Sequence, residues 1–253
     1  MDAPPQPTRR ERLRASTLQE IKTIASRLLA EGGAGALSLR AVARELGMAP
    51  AALYTYYGAR DDLLGALAAD AYSALAEALE RARDSLPVAE TAGRLVAHGL
   101  AYREWALTHP HEFRLLYGEK PAGQAPPSVQ AAVEAEHRLC LGLLGLVATA
   151  WPLADASQDA EGYVWEDFDA GFVPAVRAAH PELPPSALAV TLRVWGRMHG
   201  MVALEVAGVL GPRARDTARL YGDDLRDLAR SLGLSPARAS TARACSAQAA
   251  PPL

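Results

Sequence analysis

The sequence predicts an all-α protein on three observations. Apolar residues recur at helical spacing in one segment after another, no segment alternates as a strand would, and no internal repeat is present. The first eight residues, MDAPPQPT, are proline-rich and an arginine-dense stretch follows, so residues 1–15 are expected to be a disordered basic arm. Thr17-Leu18-Gln19-Glu20 fits a capping box and starts a first helix. Thr8-Arg9-Arg10-Glu11 fits the same pattern nine residues earlier, and both starts stay open.

Residues 38–60, SLRAVARELGMAPAALYTYYGAR, read as a helix-turn-helix. Ser38 suits the N-cap of a short helix whose apolar positions are Leu39, Val42, Ala43 and Leu46. Gly47 stops it, because glycine accepts the left-handed conformation that a tight turn needs. Pro50 opens a second helix, expected to run to Tyr57, since the first helical position has no use for the missing N–H. Leu53 and Tyr57 are expected on its buried side, and Ala51, Tyr54 and Thr55, with Tyr56 alongside, on the other. The arrangement points to a DNA-reading module.

Further along, Asp61 and Asp62 suit the N-terminus of a long helix whose stripe is Leu63, Leu67, Ala71, Leu75 and Leu79, reaching about Leu86. Pro87 opens a helix to about Thr108, and His109-Pro110 divides it from a short piece with Phe113, Leu116 and Tyr117. After the breaker-dense loop GEKPAGQAPPS, an apolar helix is expected from Val129 to about Trp151. Residues 152–162 connect it to a helix carrying Val164, Trp165, Phe168, Phe172 and Val176 and ending at His180. Ser186 caps a helix to about Leu210, a last one spans 213–232, and residues 234–253 form an Ala-, Ser- and Pro-rich tail expected to be disordered.

Composition sets the electrostatics. The net charge is −3, yet residues 1–60 hold nine basic against five acidic side chains, and the remainder holds 17 basic against 24 acidic. The face favourable to phosphate is therefore N-terminal. No apolar run approaches the roughly 20 residues of a membrane span and no secretory leader opens the chain, so a cytoplasmic protein is expected. Cys140 and Cys245 are far apart and suggest neither a disulfide framework nor a metal cluster.

The helix-turn-helix, together with Ile21, Ile24, Ala25, Leu28, Leu29 and Gly32 upstream, resembles the DNA-binding domain of the TetR family of transcriptional regulators over roughly residues 12 to 64. That family usually has Ser or Thr where Ala49 stands, Gly or Ser near Ala51, Phe at Tyr57 and Lys at Arg60. Losing the cap at Ala49 costs the second helix about 0.5 to 2 kcal/mol. The resemblance implies a three-helix DNA-binding domain at 16–62 and a helical ligand-binding and dimerisation domain at 63–233. Trp195-Gly196-Arg197-Met198-His199-Gly200 and the segment HPHEF at 109–113 are similar to the Trp-His-Gly type of C-terminal domain in one branch of these regulators.

The site residues follow from these readings. Ser38, Arg40, Ala49, Pro50, Ala51, Tyr54, Thr55, Tyr56 and Arg60 are the expected DNA contacts. The resemblance implies phosphate roles for Arg40, Tyr54, Tyr56 and Arg60, and the chemistry agrees, since a phenol donates one hydrogen bond and a guanidinium can bind two oxygens at once. The donor-poor leading turn is expected to read thymine methyl groups by close apolar contact. Trp105, Phe113, Tyr117, Trp165, Phe168, Phe172 and His199 are the candidates for an apolar ligand pocket. Gly196, Gly200, Ala203, Ala207, Leu225 and Leu228 are the candidates for a dimer interface made by the last two helices.

No catalytic residue, metal site or cofactor is expected, and no phosphate loop or nucleophile elbow is visible. The expected function is a dimeric, sequence-specific regulator, a repressor released by a small-molecule effector, with a pseudo-palindromic duplex and a second copy as partners and no membrane. One rival is a dimeric DNA-binding protein that takes no ligand. The other is a helical-bundle metal enzyme using Glu134 and His137, whose Glu-x-x-His spacing lacks the second copy such sites need.

Overall fold

A computed structural model describes residues 8–118, 130–154 and 162–234. Ten α-helices and a short 3₁₀ turn, with no strand among these residues, build a small head and a larger body. Residues 1–7, the centre of the GEKPAGQAPPS loop, 155–161 and the tail from 235 lie outside the described residues.

Helix α1 (Arg9–Ala36) starts at the upstream capping box, which corrects the expected disordered arm over residues 9–15. Thr8 Oγ1 accepts from the Glu11 amide at 3.3 Å while the Glu11 carboxylate accepts from the Thr8 amide at 2.6 Å. Arginine is a good helix former, so a capped N-terminus suffices to order the charged stretch. Thr17, in the second box, lies inside the helix and donates back to the Leu13 carbonyl at 3.0 Å.

Helix α2 (Leu39–Glu45) has the expected cap, with Ser38 Oγ accepting from the Ala41 amide at 3.1 Å. Gly47 ends it at φ +66°, and the Met48 amide returns to the Ala43 carbonyl at 2.9 Å. Helix α3 (Pro50–Leu53) is far shorter than expected. Ala49 provides no side-chain cap, the Thr-Tyr-Tyr run has weak helix propensity, and Thr55 Oγ1 takes the Ala52 carbonyl at 2.7 Å. Residues 54–57 continue as tight turns that bring Tyr57 into the head core beside Leu53, Val42 and Ile21.

Helix α4 (Arg60–Asp84) belongs to both halves. Leu63, Leu64 and Leu67 close the head core, and Tyr72, Leu75 and Leu79 enter the body core. Helix α5 (Thr91–Thr108) begins four residues after Pro87, which instead opens a turn closed by the Glu90 amide on the Pro87 carbonyl at 2.9 Å. Helix α6 (Pro110–Tyr117) lies under the head, and its Leu115 packs against both cores. Helix α7 (Gln130–Ala154) is apolar and long enough to cross a bilayer by length and composition, with a mean hydropathy of 1.3 over its best window. Its Leu139, Leu143, Leu146 and Val147 face the body core.

The expected helix over 164–180 is broken. A 3₁₀ turn at Trp165–Asp167 precedes α8 (Val173–Ala179). Asp167 accepts from the Val164 amide at the start of the short turn, and Asp169 accepts from the Phe172 amide, each at 2.9 Å, so a carboxylate holds an amide in the middle of the expected helix. Helix α9 (Pro185–Val206) starts one residue before Ser186 and ends before Leu210. Helix α10 (Thr217–Ser231) is capped by Asp216, which accepts from the Arg219 amide at 2.8 Å.

Helix α10 packs on α5 across Gly99. A Cβ at Gly99 would lie 2.5 Å from Leu225 Cδ2, so α10 approaches as closely as it does only over a glycine. Arg103 of α5 adds a two-pronged pair to Glu205 of α9 at 2.6 and 2.7 Å, and Thr217 Oγ1 donates to the same carboxylate at 2.6 Å. These hydrogen bonds hold the Glu205 carboxyl below its ordinary pKa. Gly99→Val is expected to destabilise the chain by about 2 to 3 kcal/mol through overpacking at this crossing, read as a lower urea midpoint at constant m-value.

Candidate nucleic-acid interface and body cavity

The recognition segment is built from local signals. Ser38 spends its hydroxyl on capping α2, which fixes Arg40 in the first turn with its side chain in solvent. The left-handed Gly47 then swings the chain so that Ala49, Pro50 and Ala51 are exposed at the start of α3. Tyr54 is 49% exposed, unusual for so large a side chain on a small head. Thr55 is exposed, but its hydroxyl is engaged with the Ala52 carbonyl.

Two of the expected phosphate contacts are placed differently. Tyr56 is half-buried against the head core, and the Arg14 guanidinium lies 5.0 Å from its ring centroid. Arg60 is also half-buried, donating from Nε to the Leu37 carbonyl at 2.9 Å, and it ties the start of α4 to the end of α1. Its Nη1 lies 3.6 Å from Asp61. Both therefore hold the head together.

The head's carboxylates are largely occupied. Glu11 closes the capping box, Glu20 takes the Ser16 hydroxyl at 3.3 Å, and Glu31 and Glu45 both pair with Arg27. Among the described residues, Arg9, Arg10, Arg12, Arg14, Arg40 and Arg44 have no carboxylate within salt-bridge distance. Arg14, over the Tyr56 ring, and Arg40 and Arg44 of α2 thus bring positive charge to the side of the recognition segment. The arginines of α1 stand outside the residues expected to contact DNA.

In the body, a cavity of about 190 Å³ lies between α4, α5, α7 and α9. Leu79, Leu139, Leu143, Phe172, Leu188, Leu192 and Met198 supply apolar wall, with Tyr102, Tyr117 and Trp195. His98 is fully enclosed, and burial, reinforced by the positive charge of Arg83, depresses its pKa to about 4. Its Nδ1 and the Tyr117 hydroxyl are buried without a hydrogen-bond partner. Cys140 on the wall has its thiol pushed up to about 12, by burial and then by the charge of Glu136. No Lys or Arg lines the space, and Glu136 is the one carboxylate on its wall.

Of the seven expected pocket residues, only Tyr117 and Phe172 line this cavity. Trp105 is buried and stacks on His109 at 5.1 Å. Phe113 stacks on His199 at 5.5 Å, and His199 accepts or donates through Nδ1 to the Tyr102 hydroxyl at 2.7 Å. His199 is thus boxed by Trp195, Phe113 and Tyr117 behind the wall, where burial lowers its pKa. Trp165 and Phe168 pack on a separate cluster around Leu144 and Val176. His98, Tyr102 and Trp195 join the wall instead, which periodicity alone could not reveal.

The expected interface residues divide as well. Gly196 is exposed on α9 and Ala207 is exposed just past its end, Gly200 and Ala203 are half-buried on the helix, and a Cβ at either glycine would meet open space. Leu192 and Leu204 are exposed on the same helix. Leu225 and Leu228 are corrected: both are buried in this chain's own core, where Leu225 fills the space over Gly99. Glu134 accepts from Gln130 at 3.0 Å and His137 packs on the Phe172 ring, so the Glu-x-x-His pair serves two different neighbours.

Comparison with known proteins gives these features a family. A model of bacterial regulatory proteins of the tetR family matches residues 23–67, and one for the tetracyclin repressor-like C-terminal domain matches residues 95–228, more than half of the chain. The HTH-type transcriptional regulator Rv1816 of Mycobacterium tuberculosis is 44% identical over 115 residues, 45% of this chain and 49% of that protein, so the chain spans about half the length of the curated relatives it matches. The crystal structure of the regulatory protein SCO4313 is similar at 31% identity and a TM-score of 0.65, covering 87% of this chain and 98% of that one. A bacterial regulatory protein in the tetR family from Rhodococcus RHA1 shares the fold, with a TM-score of 0.56 at 15% identity, over 86% of this chain and 97% of that one. With both halves matched, the chain belongs to the TetR family of bacterial regulatory proteins.

Proposed function

We propose that this chain is a dimeric, sequence-specific DNA-binding transcriptional regulator, a repressor released by a small molecule held in the body cavity. The observation that carries the reading is the exposed, donor-poor turn Ala49-Pro50-Ala51, flanked by Arg40 and a half-exposed Tyr54 on a head whose acids are occupied. Small side chains let a helix end approach the major groove and touch thymine methyls, while the guanidinium and phenol hold the flanking phosphates. Two heads on one face of a duplex must sit about 34 to 36 Å apart, or a multiple of it. The exposed stretch of α9 around Leu192, Gly196 and Leu204 supports pairing with a second copy. A regulator acting on DNA works in the cytoplasm.

Helix α6 is the natural link between cavity and head. Leu115 touches the head core and Tyr117, two residues on, forms part of the cavity wall. A ligand that moves Tyr117 therefore moves the support of the head, by no more than its own difference in affinity for the two arrangements. The wall chemistry selects a neutral, mostly apolar molecule carrying a polar atom for His98 or Tyr117. An anion would face Glu136 with no cation beside it. Selection of bound fragments from random duplexes tests the reading: recovery of a two-fold symmetric site with two copies bound is expected, and retention of no duplex even at low ionic strength overturns it.

A further inference from the structure

We propose that the first two turns of α1 are a second phosphate-binding element, in which Arg10 and Arg14, flanked by Arg9 and Arg12, grip the duplex backbone beside the recognition turn. The proposal rests on the DNA-binding reading above and extends it to residues outside the helix-turn-helix.

The placement follows from helix geometry. Leu18, Ile21 and Ala25 form the stripe of α1 that packs into the head. Stepping back along that stripe by four residues reaches Arg14 and then Arg10, each about 6 Å further along the axis. Arg14 ends over the Tyr56 ring, two residues past the exposed Tyr54. Arg10 thus extends the recognition surface beyond the head core.

The electrostatics ask for a partner that the chain does not supply. Arg9, Arg10, Arg12 and Arg14 are all exposed, and among the described residues none has a carboxylate within salt-bridge distance. The single acid among them, Glu11, is committed to Thr8, which also holds its pKa low. Like charges one turn apart, as at Arg10 and Arg14, destabilise a helix. The capping box nevertheless keeps the cluster ordered. A polyanion with regularly spaced phosphates relieves that repulsion, and guanidinium binds phosphate oxygens in pairs. Ordering the arm before binding also removes an entropy cost that a disordered basic tail would meet on association.

The test compares the full chain with the R9Q/R10Q/R12Q/R14Q variant on a duplex recovered by selection, with dissociation constants measured by fluorescence anisotropy between 50 and 200 mM KCl as the chosen range. Each phosphate contact contributes about 0.9 to the slope of log K against log salt. The variant should therefore bind with a slope shallower by about 2 to 4 and weaken by at least about tenfold at the low-salt end, with its preference among altered sites unchanged. A lysine variant at the same four positions should keep the slope, and circular dichroism should give an unchanged helix content for both. Equal slopes for the parent and the glutamine variant overturn this proposal while leaving the DNA-binding reading intact. Failure of the parent chain to bind any duplex overturns both.

Discussion

Ala51→Glu will reduce affinity for the selected duplex by at least about 100-fold while leaving the melting temperature of the free protein within about 2 °C. The two halves of that expectation come from different surroundings. In the free protein Ala51 is exposed at the second position of α3, so a larger side chain meets solvent. An acid there faces the unpaired amides of a helix start, which is neutral to slightly favourable. In the complex the same carboxylate stands where base edges and phosphates approach. Like charge brought together at an interface costs several kcal/mol, and each 1.4 kcal/mol is tenfold. Ala51→Ser separates shape from charge: it should bind within about tenfold of the parent, losing methyl contact alone. Affinities by anisotropy and melting curves by circular dichroism check both arms. Binding by the glutamate variant within threefold of the parent would mean that the start of α3 does not face the duplex.

How far the sequence could be read depended on whether a feature is decided locally. Ser38, Gly47 and Pro50 act within four residues of themselves, and each is where its chemistry puts it. The end of α3 depended on a competition, between a hydroxyl at Thr55 and the helix ladder, that propensity alone does not resolve. Asp169, whose carboxylate takes the Phe172 amide in the middle of the expected 164–180 helix, competes with the ladder in a similar way. The start of α1 turned on two capping boxes nine residues apart, and the upstream one prevailed because it adds helical turns. Residues facing the body cavity were the least legible. Trp105, Phe113 and His199 share the apolar stripes of Tyr102, Tyr117 and Trp195 in turn, and only the crossing of α5, α6 and α9 decides which of them walls a space. Leu225 and Leu228 show the same limit, since an apolar stripe does not state whether its partner is α5 of this chain or a second copy.

Lowering the pH from 7 to 4 will cost the chain about 3 kcal/mol of stability through His98 alone. The sign follows from the direction of the shift. In the folded chain burial, aided by Arg83, holds this imidazole neutral down to about pH 4, whereas in the unfolded chain it takes up a proton near its ordinary 6.5. Below pH 6.5 the unfolded state therefore binds more protons, and stability falls until the folded pKa is reached. Glu205 acts in another window. Its pKa is lowered by Arg103, so its contribution is present above the ordinary carboxylate range and lost only as the pH drops through the depressed value. Glu136 on the cavity wall and the Glu80–Arg138 pair at the neighbouring recess are the other charges near His98. His98→Phe keeps a planar aromatic ring at the site and removes the titration, so urea midpoints measured from pH 7 to 4 should flatten across 6.5 to 4 and steepen only below. A neutral ligand that hydrogen-bonds His98 in its uncharged form adds to the same effect, because protonation would then have to break that bond as well. If the variant and the parent lose stability in parallel through this window, His98 is protonated without cost and the desolvated surroundings assigned to its imidazole are wrong.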